Sequence, residues 1–367
     1  MSKIFELFGY RRDAWTPEAQ KNLSMAHCPF MGATCDGGGN RQMSAITLRD
    51  HPALQKIFPG MTRVQAGVCS LSIKESAQPW IVCPRRLLSL RSSIESANQS
   101  FVRNKLAVRS ELPTGCYRAW SEVKMKVATA NAAEEEKYFD YTFDYVIAGS
   151  ASKQIQEIQA ITGFSLNDCK KKAENNGFTL ASRGGNLWID DFPNDPVVFV
   201  EIMTSSTSGG NKEHRTQIAM AFEDAILRGD HHKGPGINYR QVWARMVSQL
   251  IVKSQVALAW NAKTLWLIQD VLADYISSST ALNLQSYLSE HANEVNILAF
   301  GYGALNPPKP IALFKNASFY SGPISKTKGE GGFVDIVKIG APPPKNHLWR
   351  TLFSKPPTGR LRVEKPN

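Results

Sequence analysis

Residues 196–204 read Pro-Val-Val-Phe-Val-Glu-Ile-Met-Thr, and no other stretch constrains the chain as strongly. Val197, Val198, Phe199 and Val200 make a short apolar run rich in β-branched residues, which predicts a strand buried on both faces. The run delivers a carboxylate, Glu201, to its own end, just before a Ser/Thr/Gly-rich break at 205–210. Residues 141–147 alternate in the same manner and carry Asp144 between Phe143 and Tyr145. Two such strands side by side would put two carboxylates on one divalent ion. Magnesium is held by one or two carboxylates plus substrate phosphate, so the pair predicts metal-dependent phosphodiester chemistry. The plainer alternative is two ordinary strand-end charges.

The surrounding pattern alternates between strand and helix. Residues 120–128 form an alternating segment containing Glu122, and Glu134, Glu135 and Glu136 mark a turn before the Asp144 strand. Helical spacing covers 151–178, with Asn175-Asn-Gly177 as its stop. Residues 181–193 read as loop and short strand, and their Asp190 and Asp191, with Asp195 just beyond, are rival metal ligands. Helices are expected over 211–228, 239–256 and 264–276, with short strands at 257–260 and 295–300. This order favours an α/β fold, a mixed sheet with helices on both faces. There is no G-x-G-x-x-G or Walker A loop, so no nucleotide cofactor is expected.

Charge points to a polyanionic partner. The 367 residues carry 43 Lys and Arg against 32 Asp and Glu, a net +11, and the excess is concentrated after residue 301 in a Pro-rich stretch that predicts extended basic segments. A second basic series, Arg85, Arg86, Arg91, Arg103, Lys105, Arg109 and Arg118, reads as a phosphate-facing surface, or as a merely solvated one. No apolar run is long enough for a signal peptide or a membrane span, so a cytoplasmic protein is expected.

In a reducing compartment cysteines are thiols or metal ligands in preference to disulfides. Four of the six, Cys28, Cys35, Cys69 and Cys83, are spaced C-x₆-C-x₃₃-C-x₁₃-C in Gly/Ser/Pro-rich sequence. They lack the tight C-x₂-C pair of a zinc ribbon. Either they form one Cys₄ metal site that ties loops together or they are four unrelated buried thiols. Cys116 and Cys169 read as unpaired.

Cys28-Pro-Phe, Cys35, Gly-Val-Cys69, Val-Cys83-Pro, Phe143-Asp144-Tyr145, Val200-Glu201-Ile-Met-Thr204 and the stretch from Tyr239 to Trp266 follow one another in an order that resembles the NotI family of type II restriction endonucleases. The resemblance covers about residues 25–305 discontinuously. It implies a PD-(D/E)xK nuclease-like mixed sheet flanked by helices, preceded by an N-terminal Cys₄ metal-binding region (1–100). The catalytic core would span 101–305 and a basic Pro-rich C-terminal extension 306–367. It further implies Mg²⁺ on Asp144 and Glu201, Glu122 as an upstream acid, and iron, or zinc, on Cys28, Cys35, Cys69 and Cys83. The implied activity is hydrolysis of double-stranded DNA at a specific, palindromic sequence by a homodimer. Two positions after the glutamate, where most nucleases of this core carry Lys and the NotI family Gln, this chain has Met203. A thioether is a poor Mg²⁺ ligand and no base, which leaves Lys212, on the following turn, or the metal itself to activate water. Two other readings stand beside this one: a sequence-specific DNA-binding protein without catalysis, and a nuclease acting on damaged DNA or a repair intermediate.

Overall fold

The computed structural model describes residues 2–38, 44–73, 78–90, 96–129, 137–208, 210–326 and 331–337. Arg91, the expected Glu134–Glu136 turn and most of the basic extension lie outside these residues. The N-terminal third contains β1 (Lys3–Leu7), β2 (Tyr10–Arg11), α1 (Pro17–Ser24), β3 (His27–Cys28), β4 (Ala33–Thr34), β5 (Ala45–Thr47), α2 (Pro52–Ile57) and β6 (Arg63–Gln65). It continues with β7 (Val68–Ser72), β8 (Trp80–Ile81), α3 (Pro84–Leu87) and α4 (Ala97–Ser110). The middle section has β9 (Arg118–Thr129), β10 (Lys137–Gln154), α5 (Ile155–Thr162), α6 (Leu166–Asn175), β11 (Thr179–Arg183) and β12 (Asn186–Ile202). After it come α7 (Ile218–Leu227), α8 (Tyr239–Ala259), β13 (Lys263–Gln269), α9 (Asp270–Ser279), β14 (Val295–Tyr302) and β15 (Phe314–Gly322).

The fold is mixed α/β. Its main sheet has seven strands in the order β15-β14-β13-β12-β10-β9, with β11 pairing β12. β12, β13 and β14 run parallel, and β10, β9 and β15 join antiparallel. Side chains of the central strands alternate between two cores, as the two-residue strand period requires. Val198, Val200, Leu265, Leu267, Leu298 and Phe300 pack with Leu87 of α3 and Val102 and Leu106 of α4. Met203, Trp266, Ile268, Ile297 and Ala299 pack instead with α8 and α9, through Val242, Met246, Leu250, Leu272 and Ile276. Helices therefore cover both faces.

A second sheet, β2-β1-β7-β8, carries the N-terminal region. Its core is shared: Phe58 stacks on Phe222 of α7, Phe8 meets the same ring edge to face, and Ile218, Ala221 and Ala225 complete the contact. The expected division at residue 100 is thus crossed by a helix from the middle of the chain. β15 likewise lies beyond residue 305 yet closes the main sheet through eight paired positions from Val295–Gly322 to Tyr302–Phe314.

Three expected elements change character. Residues 264–269, read as helix, are the wholly buried strand β13, because apolar residues on both faces erase the period that separates strand from helix. Residues 257–259, read as strand, are the last turn of α8. Residues 181–193, read as loop and short strand, belong to a hairpin of β11 on the long strand β12. The helix expected from residue 211 begins at Ile218, after a turn in which the Asn211 side chain accepts from the N–H groups of Glu213 and His214.

Candidate active site

Register places the acids. β10 pairs β12 through Tyr145–Val200 and Val146–Phe199, which brings Asp144 opposite Glu201. On its other side β10 pairs β9 through Phe143–Val123 and Tyr145–Ser121, which brings Asp144 opposite Glu122. Adjacent strands lie about 4.8 Å apart, so Glu122, Asp144 and Glu201 form a row across three strands. Glu122 has φ of +54°, an uncommon conformation for a non-glycine residue that costs on the order of 1–3 kcal/mol and interrupts regular pairing there.

Glu201 is 2% exposed. One of its carboxylate oxygens, Oε1, has no protein hydrogen-bond partner, and the other, Oε2, accepts from Lys253 Nζ at 2.5 Å. Burial and then the neighbouring Asp144 charge push the Glu201 carboxyl up to about 8, against the opposing pull of Lys253. Asp144 Oδ2 accepts from the Ile202 N–H at 2.8 Å. Burial raises the Asp144 pKa as well, opposed by that hydrogen bond and by the charges of Lys253 and Arg85, and Glu122 adds to the rise. Burial thus disfavours the anionic form of both carboxyls, and a neighbouring cation favours it.

The ammonium at the centre comes from α8. Lys253 also donates to the Thr142 carbonyl at 2.7 Å and lies over the Phe143 and Trp266 rings. It occupies a core-facing position of the helix, in step with Val242, Met246, Leu250 and Ala257. Sequence reasoning passed over it, although a Lys inside an apolar helical stripe is a signal in itself, since Lys is almost never fully buried without a partner. Met203 follows Glu201 on the same strand face and packs into the α8 core as a plain apolar side chain. Lys212 stands exposed on the turn before α7.

The rival acids sit elsewhere. Asp190 takes both its oxygens to Arg183, and Asp191 pairs with Arg118 at 2.7 Å. Both lie about ten residues from Glu201 along β12, roughly 30 Å of strand. Two of the arginines expected to face phosphate turn inward. Arg86 is fully buried, paired with Glu6 at 3.1 Å and enclosed by Phe30, Tyr302 and Phe314. Arg85 is tied to Asp36, Glu122 and the Tyr145 hydroxyl.

The four N-terminal cysteines gather. Cys28, Cys69 and Cys83 share one buried cluster with Phe30, against which Cys35, Met31 and Ile311 pack. The backbone holds them together: the Val82 and Cys83 N–H groups both donate to the Cys69 carbonyl, and the Cys35 N–H donates to Ala26. Donors also point at sulfur. Gly9 N–H reaches Cys69 Sγ at 3.2 Å and Gly37 N–H reaches Cys35 Sγ at 3.5 Å. The neighbouring Cys69 thiol lowers the Cys83 pKa against the effect of burial. Burial nonetheless pushes the Cys28 thiol up to about 12. A Cβ at Gly38, where φ is +56°, would stand 2.6 Å from Cys83 Sγ, so only glycine fits this approach.

Among the described residues no group of three or more His, Cys, Asp or Glu side chains stands as a preformed metal site. The donor sets are nevertheless suited to cations of opposite character. Asp144 and Glu201, with a buried oxygen lacking a protein partner, suit a hard divalent ion; four clustered sulfurs, those of Cys35 and Cys69 met by N–H donors, suit a soft one. Comparison with known family models, curated proteins and solved structures gave no match. No helix among the described residues is long and apolar enough to cross a membrane.

Proposed function

We propose that the chain is a Mg²⁺-dependent endonuclease of the PD-(D/E)xK type, acting on double-stranded DNA at a specific sequence. The observation that carries this reading is the carboxylate row, in which a buried Glu201 with one oxygen lacking a protein partner lies beside Asp144 and is met by a lysine. Asp144 and Glu201 would hold the ion, which supplies Lewis-acid polarisation of phosphate and water when bound. Glu122 borders the site as the upstream acid. Lys253 takes the role that the missing Lys at position 203 leaves open, in place of Lys212. Its ammonium sits where it would stabilise negative charge beside Glu201 and, as a donor only, could give a proton to the leaving oxygen. In the reaction one P–O bond forms from water, which loses a proton to solvent, and the bond to the leaving oxygen breaks, that oxygen taking a proton from Lys253 or solvent.

Incubation of supercoiled plasmid with the protein, with Mg²⁺ or with EDTA, tests the proposal. Discrete linear fragments that require Mg²⁺ are expected; retained DNA binding without any cut would favour the non-catalytic reading. The pH dependence has a definite sign. Protonated Glu201 cannot hold the cation, so below pH 8 half-saturating Mg²⁺ should rise by up to about tenfold per pH unit of acidification, and level off above pH 8. Magnesium titrations of cleavage at pH 6.5, 7.5 and 8.5 check it.

The cysteine cluster is proposed to hold one iron or zinc ion, whose charge would allow four buried thiolates to coexist. Elemental analysis of purified protein should give one equivalent. Cys→Ser at Cys28, Cys69 or Cys83 leaves a hydroxyl in an apolar cluster, so urea melts should show a loss of at least about 1–3 kcal/mol. An unchanged midpoint would count against the site. A cut in both strands requires two such carboxylate rows, which a two-fold dimer on a palindrome provides. Sizing on cognate DNA and mapping of both cut ends check that arrangement.

A further inference from the structure

One guanidinium joins the cysteine loops to the carboxylate row. Arg85 lies two residues after Cys83, on the first turn of α3, whose N-cap is Cys83. Its side chain is only 5% exposed. Nε and Nη2 donate to Asp36 Oδ2 at 3.3 and 3.2 Å, and Asp36 is the neighbour of Cys35. The same Nη2 donates to Glu122 Oε1 at 3.4 Å, and Nη1 to the hydroxyl of Tyr145, the neighbour of Asp144, at 3.3 Å. Asp36 is itself fixed within the cysteine loop, where its Oδ1 accepts from the Gly38 N–H at 2.9 Å. A planar fork of fixed geometry cannot move toward one carboxylate without leaving the other.

We infer that Arg85 is a positioning residue through which the cysteine loops set where Glu122 stands, and so how well the carboxylate row takes a divalent cation. This rests on the nuclease reading of that row. Asp36 draws the guanidinium toward the cysteine loop and so limits its hold on Glu122. With that pull removed, Arg85 closes on Glu122 and withdraws it from the cation. The coupling runs in both directions, since any cation that engages Glu122 must shift the same fork.

Substitution of Arg85 itself would leave a buried hole, so the test uses the two partly exposed carboxylates that share it. Mn²⁺ affinity is measured by electron paramagnetic resonance at pH 8.5 for the full chain, Asp36→Asn, Glu122→Gln and the double variant, with circular dichroism on each. Asp36→Asn is expected to weaken Mn²⁺ binding about fivefold or more in the native background and to have no effect with Glu122→Gln, a non-additivity typical of residues in one network. Equal effects in both backgrounds would overturn the role of Arg85. A chain that binds Mn²⁺ with this coupling but never cuts plasmid keeps the inference and removes the endonuclease. A chain that binds no Mn²⁺ removes both.

Discussion

Glu201→Gln and Asp144→Asn should each lower single-turnover cleavage by at least about 10³-fold, the scale expected when a group that stabilises transition-state charge is lost. Both changes preserve shape and remove the charge that would hold the cation. Glu201→Gln also leaves the buried Lys253 ammonium without its counter-charge, so a lower melting temperature is expected and the rate is measured well below it. DNA affinity measured in Ca²⁺ or EDTA should stay within about threefold, because the basic surface is untouched. Asp191→Asn is the control. Its partner is Arg118, remote from the row, and its cleavage rate should equal that of the unaltered chain. Cleavage that survives Glu201→Gln would mean that the row is not the active site.

Lys253→Met should lower cleavage by about 10²–10⁴-fold, the range for a positioned acid–base group. It also breaks a buried ion pair, a change that typically costs roughly 3–5 kcal/mol when one charge is left behind. A lower melting temperature alone therefore says nothing about catalysis. The decisive variant is Lys253→Met combined with Met203→Lys. Position 203 follows Glu201 on the same strand face and packs against the turns of α8 that precede Lys253, so the second change returns an ammonium to the row from the strand. Recovery of at least about a tenth of the native rate is the expected result. Recovery of melting temperature without recovery of rate would reduce Lys253 to a structural partner. Lys212→Ala, on its exposed turn, should cleave normally.

How much of this was legible in the sequence varies with the kind of residue. Val197–Val200 announced a buried strand with the carboxylate of Glu201 at its end, because both signals are local. Asp144 and Glu122 were legible for the same reason, as acids within alternating strands. Lys253 was not, since its significance lies in what stands across from it, 52 residues away in the chain. Arg85 and Arg86 misled for a related reason. Two adjacent arginines in a basic series predict a solvated or phosphate-facing surface, but their partners Asp36 and Glu6 lie 49 and 80 residues earlier.

The cysteines show the same division. Their spacing of 6, 33 and 13 residues left one site and four separate thiols equally open. What gathers them is the pairing of β7 with β8 and the carbonyl of Cys69, which accepts from both Val82 and Cys83. Residues 263–269 illustrate the limit from the other direction. A strand buried on both faces has no period of its own, and only its parallel pairing to Val198–Ile202 on one side and Ile297–Phe300 on the other made it β13. Apart from residues 257–269, the sequence by itself determined most of the segments that extend or coil and which acids lie in strands, because those follow from neighbours within a turn or two. Tertiary structure alone decided which acids lie abreast, which lysine meets them and which arginines leave the solvent, because register and desolvation depend on partners that the chain brings together only when it folds.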